Sequence, residues 1–275
     1  MVIAVTGAEG QVGQAIRSIA DGFPDLTFLF WSRREADITN PEQLNKLFQE
    51  TQPNWCINLA AYTAVDKAES EPDLAYDINA SGAGNVASAC KAAGTKIIHL
   101  STDFVFDGTK RGPYLETDTT NPLSVYGRTK LEGEQKIQQV LPEHLIVRAS
   151  WIFSEYGNNF YKTMVRLGNE GRQLRIVNDQ IGCPTYAVDL ARALLALISQ
   201  SDLPFGIYHF ANSEEVTWFD FAKAIFAAKS LSVDITPISS EEFGAPAQRP
   251  SYSVLDTSKI SKVLSKPIQS WREFL

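Results

Sequence analysis

The stretch MVIAVTGAEGQVG, Met1 to Gly13, decides the fold. Its first residues are an unbroken apolar run, as a strand buried on both faces requires. Glycines follow at Gly7, Gly10 and Gly13, and helical periodicity runs from Gln11 to Ala20. The spacing is G-x-x-G-x-x-G rather than G-x-G-x-x-G, but the physics is shared. Residues without bulk let the backbone approach a pyrophosphate, which then faces the positive end of a helix. A strand, a glycine turn and a helix in that order predict a dinucleotide crevice, with Gly7, Gly10, Gln11, Val12 and Gly13 along the phosphates. The alternative is a tight turn with no ligand.

Outward from this unit the pattern repeats. LTFLFWS, NWCINLAA, KIIHLS and HLIVRAS read as short strands. NPEQLNKLFQE opens a helix with an Asn cap and a proline at the first helical position. EPDLAYDINASGAGNVASACKAAG reads as one long helix closed by Gly94, and Ser124 to Val140 as another. Short strands spaced by helices predict βαβ units on a mostly parallel sheet. The fold class is therefore α/β: a doubly wound parallel sheet of Rossmann type, with its ligand crevice at the carboxyl ends of the strands. After Trp151 the rhythm loosens. NFYKTMVRLGNEG, AVDLARALLALISQ and TWFDFAKAIFAAKS read as helices, QLRIVND and FGIYHFA as strands, and GAPAQRPSYSVLDTSKI as a proline-rich loop leading into a short helix. Residues 1–150 are expected to form the dinucleotide-binding core. Residues 151–275 are expected to form a smaller C-terminal α/β substrate lobe that does not stand without it.

Composition narrows the classes. The 275 residues are 44% hydrophobic and 21% charged, an ordinary globular balance. No apolar run reaches the roughly 18 residues a membrane span needs, and the N-terminus lacks the basic start of a signal peptide. Three widely spaced cysteines make neither a metal-ligand spacing nor a disulfide framework. A reducing, cytoplasmic location is the expectation. A net charge of −7 and a pI near 5.1 argue against a nucleic-acid partner.

Two further stretches carry chemistry. After the second strand comes Ser32-Arg33-Arg34 where an acid would bind a free ribose 2′-hydroxyl. An arginine there accommodates a 2′-phosphate, so NADPH is the expected cofactor, with NADH possible. Asp37 and Ile38 are placed at the adenine edge. In PLSVYGRTKLEGEQ, Tyr126 and Lys130 stand one helical turn apart and share a face. A nearby ammonium favours the phenolate and lowers the tyrosine pKa. By itself the pair also fits chance on an exposed helix.

Taken together, TGAEGQVG, NLAAYTAVDKAESEP, LSTDFVFDG, ETDTTNPLSVYGRTKLEGE, RASWIFSEYGNNFYKTM, VNDQIGCPT and RPSYSVLDT resemble the extended short-chain dehydrogenase/reductase superfamily. Within it the chain is most similar to the dTDP-4-dehydrorhamnose reductases, nearly end to end. The resemblance implies NAD(P)H-dependent reduction of the C4 ketone of dTDP-4-dehydro-6-deoxy-L-mannose to dTDP-L-rhamnose. Tyr126 would be the proton donor, and Lys130 would lower its pKa and hold the nicotinamide ribose. Thr102 would hydrogen-bond the same carbonyl. Ala60, Ala61 and Tyr62 would pass beside the cofactor, and Asn79 would shape the site. Asp103, Phe104, Val105, Trp151, Asn159 and Arg249 would meet the nucleotide-sugar substrate, with Arg249 on its diphosphate.

One departure bears on assembly. Members of this family can carry a glutamate early in the first helix that contributes to a metal-linked dimer; here the position is Ala15. Alanine cannot ligate a hard cation, so no metal is expected, and the expected state is a monomer or weak homodimer. Three alternatives stay open: a 4,6-dehydratase, a 4-epimerase, and a non-catalytic subunit resembling that of methionine adenosyltransferase. Dehydratases follow the threonine with Asp-Glu, whereas Asp103 here precedes Phe104, which has no acid–base chemistry. A binding subunit would not need Thr102, Tyr126 and Lys130 together.

Overall fold

The computed structural model describes residues 1–200, 202–264 and 266–275. The first part alternates β1 (Val2–Thr6), α1 (Gln11–Ile19), β2 (Thr27–Trp31), α2 (Pro41–Thr51), β3 (Trp55–Asn58), α3 (Val65–Ala68), α4 (Pro72–Tyr76), α5 (Ala83–Ala93), β4 (Lys96–Thr102), α6 (Val125–Val140) and β5 (His144–Ala149). The rest runs β6 (Ile152–Phe153), α7 (Phe160–Asn169), β7 (Leu174–Val177), β8 (Ile181–Gly182), β9 (Thr185–Tyr186), α8 (Ala187–Ile198), β10 (Gly206–Phe210), β11 (Val216–Thr217), α9 (Trp218–Ala228), β12 (Ile235–Ile238), α10 (Ser240–Phe243) and α11 (Ser258–Leu264).

Six strands form one sheet in the order β10-β5-β4-β3-β1-β2, every neighbouring pair parallel. A parallel sheet is covered on both faces, and the strands divide their side chains accordingly. Ile3, Val5 and Ile98 pack with Ala15, Leu194 and Ile260 from α1, α8 and α11. Ala4, Cys56 and Ile97 pack with Phe48, Cys90 and Ile137 from α2, α5 and α6. Phe48 is wholly buried, and truncating such a ring to alanine costs about 3–5 kcal/mol. Because β2 lies on one side of β1 and β3 on the other, the winding reverses at β1. A crevice opens at the carboxyl ends of β1 and β3, where such folds hold ligands.

The long helix expected before Gly94 is not uniform. Between α4 and α5 the chain makes a π turn over Asp77–Gly82. The extra residue aims Asn79 inward, where its Oδ1 accepts from Tyr62 N at 2.8 Å and its Nδ2 donates to Tyr62 O and Thr129 Oγ1. Gly133 of α6 makes room for this, since a Cβ there would stand 2.2 Å from Asn79 O.

The chain beyond residue 150 returns to the main sheet. β10 adds its edge strand beside β5, and α8 packs beside α1. Around these a second body is built from α7, α9 and three two-stranded pairings. Its own core is aromatic: Phe153, Phe221, Phe226 and Trp271, with Met164 and Ile225.

Candidate active site

The glycine turn is tight because two backbones meet there. Gly7 has φ +64°, and a Cβ on it would lie 2.7 Å from Ala60 N. The turn after β1 and the passage after β3 therefore touch, and only glycine fits. Gly10 caps α1 without any side chain over the helix end. That leaves the first-turn N–H groups of a nine-residue helix facing the crevice, a ready anion site.

The crevice is one cleft of about 840 Å³. Its floor runs from Arg33, Asp37 and Ile38 past Gly7, Gly10, Gln11, Val12, Gly13, Ala60 and Ala61. It continues to Thr102, Asp103, Phe104, Tyr126 and Lys130, and ends at Trp151 and Arg249. Ser32 and Arg34 line an adjoining hollow that shares Arg33 and Asp37 with it. An acid does reach this corner: Glu35 folds back and accepts from Ser32 N at 2.8 Å and Ser32 Oγ at 2.7 Å. Sequence reading missed it because the turn, not the strand end, delivers the carboxylate.

Tyr126 sits in the first turn of α6, after Ser124 caps that helix by accepting from Gly127 N at 3.1 Å. Gly127 lets α6 close on the backbone of Phe104, and the Phe104 and Tyr126 rings meet edge-on, 5.8 Å apart. Burial pushes the Tyr126 hydroxyl up to about 12; the Thr102 hydroxyl pulls it back and the Asp103 charge adds to the rise. Thr102, ending β4, accepts from Phe104 N at 3.2 Å and so caps the next turn. Asp103 is buried beside it, with Oδ2 lacking a partner among the described residues. Burial raises that carboxyl to about 6.

Lys130 corrects an expectation. Its Nζ donates to Leu100 O at 2.8 Å and lies 3.2 Å from His99 Nε2. The Tyr126 pKa goes up, not down, and Lys130 is not among the groups moving it. Burial brings the lysine itself down to about 8, against the pull of Glu134. Glu134 in turn is held by Arg148, Nε at 2.9 Å and Nη2 at 2.6 Å, and by Ser101 Oγ at 2.5 Å. This charge cluster is buried under the cleft.

The far wall comes from the second body. Trp151 holds φ 47°, rare for a bulky residue. Its indole lies against Gly182, where a Cβ would come within 2.6 Å of it. Trp218 stacks on Trp151 at 3.5 Å and 7°, with Phe160 beside it at 4.6 Å. Trp218 Nε1 is anchored on Gln180 Oε1.

Three further residues expected at ligands do not line the cleft. Val105 is fully buried with Phe106 and Tyr114. Tyr62 gives its hydroxyl to Glu71 at 2.7 Å. Asn159 caps α7 by accepting from Lys162 N, and its Nδ2 donates to Gln11 Oε1, Ser154 O and Tyr156 O. It bolts the second body to the glycine turn. Arg249 does reach the cleft, but its fork already grips Asp66 with two bonds of 2.9 Å. The residues that sequence reading missed are Trp218, His99, Asp66 and Glu35. Of these only His99 left a signal, as a histidine inside the apolar run KIIHLS.

Over residues 1–275 the chain matches the family described as RmlD substrate binding domain. It is 40% identical to the dTDP-4-dehydrorhamnose reductase of Sinorhizobium fredii (strain NBRC 101917 / NGR234), covering 99% of this chain and 95% of that protein. It is similar to the crystal structure of a dTDP-4-dehydrorhamnose reductase from Clostridium acetobutylicum, with a TM-score of 0.94, 43% identity, and 99% and 96% of the two chains covered. It is also similar to a dTDP-4-dehydrorhamnose reductase from Bacillus anthracis in complex with NADP, with a TM-score of 0.95, 41% identity and the same coverage.

Proposed function

From the premise that the chain belongs to the RmlD substrate binding domain family, we propose that it is an NAD(P)H-dependent dTDP-4-dehydrorhamnose reductase. The observation that supports this most is that Thr102, Tyr126 and Lys130 line the same cleft as the glycine cradle of α1. The cradle fits a dinucleotide: at Gly7 a Cβ would fill the approach, and the helix end behind it carries no side-chain cap. Gly7, Gly10 and the first turn of α1 hold the pyrophosphate, Ala60 and Ala61 leave it room, and Arg33 or Arg34 takes a 2′-phosphate. When bound, the reduced nicotinamide supplies a hydride to C4 of the sugar.

The chain's own groups handle the proton. Its high pKa keeps Tyr126 protonated through the neutral range, the state a donor needs. Tyr126 gives that proton to the oxygen that was the C4 carbonyl, so the ketone becomes an alcohol. Thr102 hydrogen-bonds the same oxygen. Lys130 presents an N–H to the ribose. Trp151 walls the sugar, and Arg249 is exchanged from Asp66 onto the diphosphate.

The test is NADPH oxidation, followed spectrophotometrically, with dTDP-4-dehydro-6-deoxy-L-mannose and with its UDP analogue. Turnover that needs added NADPH and favours the dTDP sugar is expected. Protein that carries stoichiometric NAD and turns over without added NADPH would make it an epimerase instead.

A further inference from the structure

Thr6, Asn58 and His99 stand side by side across three adjacent strands. Thr6 is the register partner of Asn58 between β1 and β3, and Asn58 of His99 between β3 and β4. All three are buried. A polar row through an otherwise apolar sheet is costly unless every member is paired. Here each is. Thr6 Oγ1 donates to Asn58 Oδ1 at 2.6 Å, and Asn58 Nδ2 faces His99 Nδ1 at 3.0 Å. The row ends at Lys130, whose Nζ lies 3.2 Å from His99 Nε2.

We propose that His99, backed by Asn58 and Thr6, is a positioning residue that holds the Lys130 ammonium for the reaction proposed above. The inference rests on that reading for its consequence, though not for its geometry. An ammonium has three N–H donors and no acceptor. One goes to Leu100 O and, with the ring proton on Nδ1, one to His99 Nε2. The third is left for the cleft that Lys130 lines. Two fixed acceptors thereby set the direction of the one N–H that can reach a ligand.

The arrangement also fixes the ring. If Nε2 accepts, the imidazole proton sits on Nδ1. That tautomer requires the Asn58 carboxamide to be turned end for end from its placement here, so that its oxygen takes the Nδ1 proton and its N–H goes to Thr6 Oγ1. His99 stays neutral, because burial and the Lys130 charge both hold it well below its ordinary pKa. Among the described residues, Glu134 on the same helix is the charge that acts on Lys130, and it favours the ammonium. Arg148 on β5 is turned to Glu134, while Asp103 and Tyr126 share the cleft.

The wild-type protein gives the first test. The ¹⁵N shifts of the His99 ring should report a proton on Nδ1 and none on Nε2. A proton on Nε2, facing the lysine, would overturn the proposal. This measurement needs no substrate, so it fails or stands independently of the reductase assay. The second test compares His99→Gln, which keeps an acceptor near Nε2, with His99→Phe, which keeps a ring and deletes it. Without the acceptor the ammonium is disfavoured. The alkaline limb of kcat/KM, and the Lys130 Cε titration followed by NMR, should then move down by about one to two pH units in His99→Phe. In His99→Gln they should stay near the wild-type position. Equal limbs in all three proteins, whatever happens to kcat, would leave His99 a purely structural residue.

Discussion

The two sides of the cleft are built by opposite means. On the sheet side, backbones press together until only glycine fits, and the Arg148–Glu134 pair is buried beneath the surface. On the side of the second body, the first residues of α7 and α9 and the residue before β6 carry stacked rings, and the surface is made by side chains. A backbone cradle over a charge cluster holds atoms rigidly and tunes protons. A stack of rings holds a flat or apolar ligand face and tunes affinity. The difference assigns chemistry to one wall and grip to the other, and substitutions on each wall should separate turnover from binding.

The largest effect is expected on the chemical wall. Tyr126→Phe keeps the ring that packs against Phe104 and deletes the proton. General acid help is worth about 10²–10⁴-fold, so kcat should fall by about that factor with NADPH affinity nearly unchanged. Retention of more than about a tenth of wild-type turnover would mean that the proton comes from another group, and the division between walls would lose its chief support.

Next comes Asp103, which carries the strain of that wall. Its folded pKa is about 6 against an ordinary 3.8, so the native state binds the proton more tightly than the unfolded chain. Stability is thus highest while the group is protonated and falls as pH rises from about 4 to 6. Two pKa units at about 1.4 kcal/mol each put the cost near 3 kcal/mol at neutral pH. Asp103→Asn should be more stable than wild type at pH 7.5 by up to about that amount, with the gap closing at pH 4. Urea unfolding at both pH values measures it. A gap that does not change with pH would show that Asp103 is not held near neutrality by its burial.

How much of this was legible depends on how local the cause is. The glycine turn, the Asn40 cap and the Tyr126–Lys130 spacing act within a few residues, and the chain order displays them directly. The parallel sheet follows from the repeat of such units. The π turn at Asn79 was not legible, because a glycine on a different helix permits it. Nor was the use made of Asn159, whose amide is consumed in part by Gln11 of α1. Trp218 begins an ordinary amphipathic helix, and only the tertiary fold lays it on Trp151. The second body is short of regular strands, so its surface depends on contacts between distant segments.

A smaller effect belongs to the edge of the sheet wall. Glu35 already occupies the donors of Ser32, and Arg33 leans on Asp37 at 3.8 Å. A 2′-phosphate therefore competes with Asp37 for Arg33 and finds the Ser32 donors taken by Glu35. Replacing Arg33 and Arg34 with alanine should weaken NADPH by about 1.5–3 kcal/mol, one charge-assisted contact, and NADH much less. Binding of both cofactors by fluorescence titration distinguishes this from a loss common to both, which would place the two arginines outside the site.

The smallest effect is expected from the aromatic wall, and it tests the comparison most sharply. Trp218 lies flat on Trp151, and its own outer contact is Phe160. It makes no hydrogen bond to Thr102, Tyr126 or Lys130; its indole N–H is spent on Gln180. Its contribution should therefore be to hold the Trp151 face in place for the sugar. Trp218→Phe keeps an aromatic ring and shortens the stack. An aromatic pair is worth about 0.5–1.5 kcal/mol beyond its buried area, so KM for the nucleotide sugar should rise by about two- to tenfold. Because the interaction would be made equally in ground state and transition state, kcat should not move. KM for NADPH should not move either, since the cradle lies on the other wall. Steady-state kinetics with each substrate varied in turn decide the matter. A fall in kcat of the size expected for Tyr126→Phe would mean that the indole stack also sets the geometry of proton transfer, and that the two walls work as one.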